Sequence, residues 1–388
     1  MLQFVCAGAC VVVAVGTRRR RALRQADLAA HTNSSAGAIR SWRGLPVPFF
    51  FQEDSAEAFL SMSTREDDVF MSSLPKGGTT WVQRIIFLLL RGVDDAGNDA
   101  RLPEGAAQLG ATAQVYPEAV PVVAPDLSPD APRPTPAEET RRRFFGESTT
   151  FGDLLLQPSP RFFSTHLFGQ EFLPRALTKE GGKGKLVVVL RNLKDVLTSL
   201  HFFRGEPKDG WLGNEHGPGT LARFISPPGR NRNPYGSSLS WVAESDRLAR
   251  AMASEARAGA GASAQSRQRV LVIYYEQLHE ALPEQVDRLA KFLQVPLTPA
   301  KRAAVIAKVR FNAMKGTKGK GGKGGDAPVS SGAEQRPSHK LAPVLLRKGV
   351  VGDWRTHMDA EAWARFDKAF HAQLAGVGLA QPMLRYMY

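Results

Sequence analysis

The sequence contains almost no cysteine. Its 388 residues include only Cys6 and Cys10, both within the uncharged N-terminal stretch 1–16. The rest of the chain therefore has neither a disulfide framework nor a cysteine metal site, as expected of a protein that folds in a reducing compartment.

Long apolar runs are also missing. The stretch 1–16 is shorter than the ~20 residues of a membrane-spanning helix. The arginines at 18–21 follow this stretch, whereas the positive charges of a secretory signal precede its apolar region. We expect a cytoplasmic protein with no other membrane span, and a weak N-terminal anchor or organelle targeting by residues 1–30 is left open.

Acidic residues are outnumbered by basic ones. The sequence has 37 Asp and Glu against 51 Lys and Arg, which gives a formal net charge of +14. This charge favours an anionic partner, such as nucleic acid, an acidic membrane surface or a phosphate-bearing small molecule. Much of the excess lies in short runs such as 18–21 and 141–143, which are typical of solvated surfaces or tails. Because the sequence has no nucleic-acid-binding motif, we do not expect a nucleic-acid partner.

Strand-like and helix-like segments alternate over most of the chain. Short apolar strands are predicted at 68–72, 185–190 and 270–275, each followed by a helical pattern. Strands that are apolar on both faces and alternate with helices form parallel sheets covered on both sides. The sequence thus predicts an α/β protein with a single three-layer domain over 41–388, built on a central parallel sheet flanked by helices. A leader over 1–40 precedes it.

Three segments with biased composition interrupt this pattern. They lie near 102–136, rich in Ala and Pro, 251–268, rich in Ala, Gly and Ser, and 315–340, rich in Gly and Lys. Such compositions are typical of surface insertions or mobile loops. The core is therefore expected to form from the segments between them.

A glycine-containing loop joins the first predicted strand to its helix, with the sequence Leu74-Pro75-Lys76-Gly77-Gly78-Thr79-Thr80-Trp81. Glycines allow a tight turn and a close approach of the backbone to a ligand, and the N–H groups that begin a helix favour an anion. Lys76 adds a mobile positive charge. The pattern predicts a phosphate-binding loop, with a simple strand-to-helix turn as the alternative. Its lysine precedes both glycines, unlike GxxxxGK[ST], which argues against a nucleotide triphosphatase.

Further candidate ligands follow the other predicted strands. Arg191 ends one strand and Ser199 lies two helical turns later, so both can reach one phosphate. A capped helix with surface polar residues is the alternative reading. The segment 347–354 (RKGVVGDW) places two cations beside a flexible glycine, which suits closure over a bound phosphate, although a structural turn also explains it. His166 ends a strand-like segment, and Tyr275 ends the last strand.

Taken in order, these motifs resemble those of the cytosolic sulfotransferases. P-K-x-G-T-T-W resembles the family's 5′-phosphosulfate loop, R-N-x-K-D-x-x-x-S its 3′-phosphate site and R-K-G-x-x-G-D-W its C-terminal motif. The resemblance implies the P-loop-NTPase-like sulfotransferase fold and the donor 3′-phosphoadenosine 5′-phosphosulfate (PAPS), with PAP as product. It also implies a small-molecule acceptor with a hydroxyl or amine, and no metal.

The resemblance further implies a role for each matched residue. His166, in a T-H-L triplet, corresponds to the general base, and Lys76 to the group that contacts the leaving phosphate. The implied nucleotide-binding set is Lys76, Gly77, Gly78, Thr79, Thr80, Trp81, Arg191, Ser199, Tyr275, Arg347, Lys348 and Gly349.

The sequence departs from the family pattern near this predicted site. Gly77 stands where the family usually has a serine that restrains the lysine, and Ser164 where members often have a lysine that assists the transferred group. The pair Val309-Arg310 replaces Thr-Ser, and the family's dimer motif is replaced at 355–360, so dimerisation is left open. Two alternatives stay open. These departures favour a catalytically impaired PAP- or PAPS-binding relative, and the apolar stretch 1–16 leaves room for a membrane-anchored carbohydrate sulfotransferase.

Overall fold

The fold is seen in a computed structural model of the protein. The structure describes residues 40–48, 50–100, 116–122, 138, 150–203, 213–214, 217–218, 220–226, 235–258, 268–314 and 348–388. The strands in these ranges are β1 (Ser41–Trp42), β2 (Leu45–Pro46), β3 (Val69–Ser73), β4 (Phe162–Thr165), β5 (Lys185–Leu190), β6 (Gly213–Asn214), β7 (Gly217–Pro218) and β8 (Val270–Tyr274).

The helices follow the same chain order. They are α1 (Glu53–Ser61), α2 (Thr79–Phe87), α3 (Phe151–Leu155), α4 (Arg175–Thr178), α5 (Leu193–Phe203), α6 (Thr220–Ile225), α7 (Ser238–Ala258), α8 (Tyr275–Glu280), α9 (Leu282–Leu293), α10 (Pro299–Val309), α11 (Phe311–Met314), α12 (Ala360–Leu374) and α13 (Gln381–Leu384). Short 3₁₀ turns cover Pro117–Ala119, Asp353–Thr356 and Gly378–Ala380, and a π-helical turn, Leu88–Gly92, extends α2. Of the helices in the described ranges, none is long and apolar enough to cross a bilayer.

A parallel sheet with the strand order β4-β3-β5-β8 forms the centre of the molecule. Every residue of β5 is buried, and its side chains alternate between two apolar clusters. Leu186 and Val188 pack with helices α1, α7 and α12 on one face, whereas Val187 and Val189 pack with α2, α9 and α10 on the other. The predicted α/β architecture, a parallel sheet covered by helices on both sides, is confirmed.

Two segments with loop-like composition contain ordered structure, and the first of them is buried. Residues 116–120, within the predicted surface insertion 102–136, are buried. They are held against α1 because the Ser55 hydroxyl donates to the Val120 carbonyl at 2.6 Å and the Gln52 N–H donates to the Glu118 carbonyl at 2.8 Å. Within 251–268, residues 251–258 complete α7, and Met252 is buried. Residues 116–120 and Met252 are therefore not at the surface as predicted, whereas Ala251, Ala253 and Ser254 are exposed as predicted.

Other predicted boundaries shift slightly or lie beyond the described residues. Tyr275 begins α8 instead of ending β8. The leader up to residue 39, the Gly/Lys-rich segment 315–340 and Arg347 lie outside the described residues. The limits of the domain, 41–388, stay a prediction.

Candidate active site

The predicted phosphate loop lies at the carboxyl end of β3. It requires glycine at Gly78, the last residue before α2. Gly78 has a φ of 107°, and a Cβ there would lie 2.7 Å from Cδ2 of Tyr275. Real Cβ atoms do not approach other atoms so closely, and a side chain at this φ is strained. α2 begins at the next residue, Thr79, so the free N–H groups of its first turn are available to an anion.

Side chains of the loop anchor it to the sheet and to α10. The hydroxyls of Thr79 and Ser73 share a hydrogen bond of 2.6 Å. Trp81 is buried, and its indole N–H donates to the Val309 carbonyl at 2.8 Å. The indole also packs edge-on against Tyr275, with 5.5 Å between ring centroids. Val309 thus holds Trp81 through its backbone, a contact that needs neither Thr nor Ser at this position.

Arg191, at the end of β5, lies across the base of the loop. Its guanidinium donates to the Lys76 carbonyl at 3.2 Å and to the Val350 carbonyl at 3.4 Å, and its Cζ lies 4.3 Å from the centroid of the Tyr275 ring. Its Nε is buried and has no hydrogen-bond partner in the part of the chain that the structure describes. Because a buried unsatisfied donor is costly, this nitrogen fits a site for an anionic oxygen.

Asp195 joins the Arg191 segment to the C-terminal motif. Its two carboxylate oxygens accept from the N–H groups of Gly352, at 2.8 Å, and Trp354, at 3.1 Å. Val350, whose carbonyl accepts from Arg191, and its neighbour Gly349, a predicted ligand with a φ of 65°, are thereby brought to Arg191. Two chain segments more than 150 residues apart therefore form one side of the site.

The remaining predicted ligands differ in exposure. Ser199 is buried on α5, two turns beyond Arg191, and Thr80 is half-buried. Lys348 is exposed, and its ammonium pairs with Asp353 at 2.7 Å. Arg347 lies outside the described residues. No group of three or more potential metal ligands occurs in the described ranges.

His166 follows β4 directly, beside the phosphate loop. Its Nδ1 lies 2.7 Å from the Ser73 carbonyl oxygen. Because a carbonyl only accepts, Nδ1 carries the proton and the lone pair lies on Nε2. Burial is the main reason that the pKa of His166 is lowered to about 4; the Lys76 charge acts in the same direction, and the bond to Ser73 opposes the shift. The imidazole is therefore neutral at physiological pH.

Two tyrosines and one acid that the sequence analysis missed surround His166. The rings of Tyr116 and Tyr235 lie 4.8 and 5.2 Å from the imidazole, centroid to centroid. The Tyr116 hydroxyl faces Ser164 and Thr79, and burial raises the pKa of that hydroxyl. Glu118 Oε1 accepts from the His166 backbone N–H at 2.9 Å. The sequence does contain an indication that Glu118 is buried, because it is the single acidic residue in the apolar run 115–123.

Glu118 is fully buried, and its second oxygen has no partner among the described residues. Burial raises the pKa of its carboxyl from 4.5 to about 7, although the hydrogen bond from His166 opposes this. Since the folded state binds the proton more tightly, the carboxyl contributes stability that is complete below pH 4.5 and is lost as the pH rises through 7.

The substitution Glu118→Gln is expected to remove this loss, because the amide stays neutral at every pH. Between pH 4.5 and pH 8, the free energy of unfolding should fall by about 3 kcal/mol more for the parent than for the variant. Urea unfolding of both proteins at the two pH values measures the difference. The exposed Glu180 provides a control as Glu180→Gln, and equal losses in parent and Glu118→Gln would contradict the prediction.

Comparison with known proteins identifies the family. A family model described as a sulfotransferase domain matches residues 66–378. Sulfotransferase 6B1 of Danio rerio is 24% identical over 335 residues, which cover 86% of this chain and 88% of that protein. Sulfotransferase 2B1 of Homo sapiens is 26% identical over 361 residues, which cover 90% of this chain and 78% of that protein.

Solved structures share the fold. Mouse sulfotransferase SULT7A1, complexed with PAP, matches 90% of this chain and 99% of its own with a TM-score of 0.56 and 18% identity. Retinol dehydratase, in a complex with retinol and PAP, matches 84% of this chain and 86% of its own with a TM-score of 0.51 and 18% identity. Because the family model spans most of the sequence, from the strand before the phosphate loop to the helix after the C-terminal motif, the chain belongs to the sulfotransferase family.

Proposed function

We propose that this protein transfers the sulfuryl group of PAPS to a hydroxyl or amine of a small-molecule acceptor. The observation that carries the proposal is the position of Ser73. Its carbonyl accepts from His166 Nδ1 at 2.7 Å, and its hydroxyl bonds to Thr79 of the phosphate loop at 2.6 Å. A candidate base and a candidate phosphate site are thus held by one residue.

The residues present fit a bisphosphate nucleotide. The buried, unpartnered Nε of Arg191 would be satisfied by a phosphate oxygen, and the N–H groups that begin α2 suit a second phosphate. PAPS would supply the sulfuryl group and, as PAP, the leaving group. The residues proposed to hold it are Lys76, Gly77, Gly78, Thr79, Thr80, Trp81, Arg191, Ser199, Tyr275, Arg347, Lys348 and Gly349.

His166 is proposed to accept the proton of the acceptor through Nε2 as the acceptor oxygen or nitrogen attacks sulfur. The lowered pKa of about 4 keeps Nε2 unprotonated at neutral pH. Negative charge beside an imidazole raises its pKa, so a bound sulfate ester makes the base stronger when it is needed.

Lys76 is proposed to stabilise the charge that develops on the phosphate oxygen as the bond to sulfur breaks. Its position at the turn before α2, with a φ of 67°, places the side chain at the loop that would cradle the phosphate. A positive charge at the point where negative charge grows stabilises the transition state more than the ground state.

The test combines PAP binding with transfer. PAP is expected to raise the melting temperature, and labelled sulfate from PAPS should appear on members of a panel of phenols, alcohols and amines. Absence of any PAP effect would contradict the proposal. Binding without transfer would favour the catalytically impaired relative. The buried Ser164, which stands where the family often has a lysine, supports that alternative.

Gly78→Ala should weaken PAP binding by roughly 100-fold, because the strain at φ 107° and the overlap with the Tyr275 ring each cost about 1–3 kcal/mol. Calorimetric titration with PAP measures the loss. Gly181→Ala is the matched control, since Gly181 also has a positive φ, 65°, but no atom within 4 Å of its Cβ position. Equal PAP affinities for parent and Gly78→Ala would show that the loop does not bind the nucleotide.

We also propose that the protein is located in the cytoplasm. The competing proposal is an enzyme anchored to a membrane. That alternative depends on residues 1–16, which lie outside the described residues. Recovery of transfer activity with the membrane pellet after cell breakage would favour the anchor, and recovery in the supernatant would dismiss it.

A further inference from the structure

The carbonyl oxygen of Tyr386 joins two segments of the candidate nucleotide site. It accepts from the side-chain amide of Asn192 at 2.7 Å and from the indole N–H of Trp354 at 3.2 Å. Asn192 directly follows Arg191 at the end of β5, and Trp354 closes the motif 347–354. A carbonyl oxygen has two lone pairs, so these two bonds use its full accepting capacity. One backbone atom therefore connects the Arg191 segment to the C-terminal motif.

Both donors are fixed in orientation and shielded from solvent. Asn192 is fully buried, and its side-chain oxygen accepts from the Lys194 N–H at 2.9 Å, which leaves the amide nitrogen to donate. Trp354 is also buried. A buried donor that loses its acceptor is costly, because water can replace the bond only after a rearrangement. Loss of the Tyr386 carbonyl would thus favour separation of the two segments.

Separation of the segments would act on the surroundings of Arg191. The Arg191 guanidinium donates to the carbonyl of Val350 at 3.4 Å, and Val350 belongs to the same motif as Trp354. The phosphate loop is anchored by different contacts, since Thr79 bonds to β3 and Trp81 bonds to α10. Loss of the carbonyl should therefore reach the Arg191 side of the site and leave the phosphate loop in place.

We propose that the Tyr386 carbonyl is a positioning group for the 3′-phosphate of the nucleotide, so that the C-terminal segment 386–388 determines selectivity for a 3′,5′-bisphosphate over a 5′-monophosphate. The inference rests on the proposed function, which puts Arg191 at the 3′-phosphate. The carbonyl acts through Asn192 and Trp354, whose segments carry the groups that would meet this phosphate.

Removal of residues 386–388 tests the inference. PAP affinity is expected to fall by roughly tenfold to 100-fold, the range for leaving buried donors unpaired, whereas the affinity for 5′-AMP, which lacks the 3′-phosphate, should stay within about twofold. Calorimetric titration with PAP and displacement of PAP by 5′-AMP measure the two affinities. A merely structural role would lower both affinities together, so their ratio is the decisive quantity.

Removal of residues 387–388 alone is the matched control. This shorter deletion keeps the Tyr386 oxygen, and Tyr386 stays anchored because its hydroxyl donates to Glu280 at 2.9 Å. It also discards the buried side chain of Met387, so it reports the effect of lost packing. The ratio of PAP to 5′-AMP affinity should match that of the parent.

Two tryptophan variants decide the question if the shortened chain does not fold. Trp354→Phe keeps an aromatic ring but removes one donor to Tyr386, and should lower PAP affinity by roughly threefold to tenfold with 5′-AMP affinity unchanged. Trp363→Phe is its control. Both indoles lie beside the Lys194 ammonium, at 4.4 and 5.3 Å from their centroids, but the Trp363 N–H has no hydrogen-bond partner among the described residues. Trp363→Phe should keep the parent affinities.

The outcomes separate this inference from the proposed function. If the parent binds PAP, but the chain without 386–388 loses affinity for PAP and 5′-AMP equally, or for neither, this inference alone is overturned. The same ratio of affinities in Trp354→Phe and Trp363→Phe would also overturn it. A parent that binds no PAP overturns both proposals.

Discussion

His166→Ala is expected to lower turnover by about 10²–10⁴-fold, the usual contribution of a general base, and to leave PAP affinity close to the parent value. The substitution removes the only proposed proton acceptor, Nε2. The nucleotide side of the site, at Arg191, does not depend on the imidazole. Steady-state transfer of labelled sulfate and calorimetric titration with PAP measure the two quantities separately.

His166→Gln distinguishes the base from the structural contact. A glutamine amide can still donate to the Ser73 carbonyl, which now accepts from Nδ1, but it cannot accept a proton at neutral pH. Both variants should therefore be equally inactive, whereas the exposed His371→Ala should retain full activity. Equal loss of PAP binding and turnover, or recovery of activity in His166→Gln, would show that His166 has only a structural role.

Lys76→Ala is expected to lower kcat by about 10²–10³-fold, which is the usual effect of removing a group that stabilises an oxyanion. The KM for the acceptor should change little, because the ammonium acts on charge that is present only in the transition state. Lys76→Arg should recover part of the rate, since it keeps the charge but changes its position. The exposed Lys179→Ala serves as the control.

Acceptors of different nucleophilicity sharpen this prediction, because PAP is the leaving group for all of them. If Lys76 stabilises the departing phosphate, the defect in kcat should be similar for phenol and amine acceptors. A rise in acceptor KM with kcat unchanged would instead place Lys76 in acceptor binding, contrary to the proposed function.

Much of the fold follows from local sequence patterns. The bounds of β5 agree residue for residue with the prediction, because KLVVVL is a continuous apolar run that only a strand covered on both faces can bury. A loop joins β3 to α2 where glycines between a strand and a helix predicted a turn. The proposed roles of its residues stay predictions that the variants above would test.

The surroundings of His166 could not be predicted in the same way. Tyr116 and Glu118 lie in a segment whose Ala- and Pro-rich composition suggests an exposed loop, yet they contact a residue about 50 positions later. Lys76 meets Phe203 across more than 120 residues. Such contacts are set by how strands order in the sheet, and no local periodicity encodes that order.

The pairing of β3 with β4 bears on which acceptors the proposed site could come to accept. Ser72 pairs with Thr165 in the β3–β4 ladder, so the spacing between the phosphate loop and His166 is fixed by neighbouring strands of a buried sheet. The segments around the imidazole that would meet an acceptor, at Tyr116 and Tyr235, lie outside that sheet. Under the proposed function, substitutions there would remodel the acceptor pocket without altering the spacing between the loop and His166, so new acceptor preferences could evolve while the transfer chemistry is preserved.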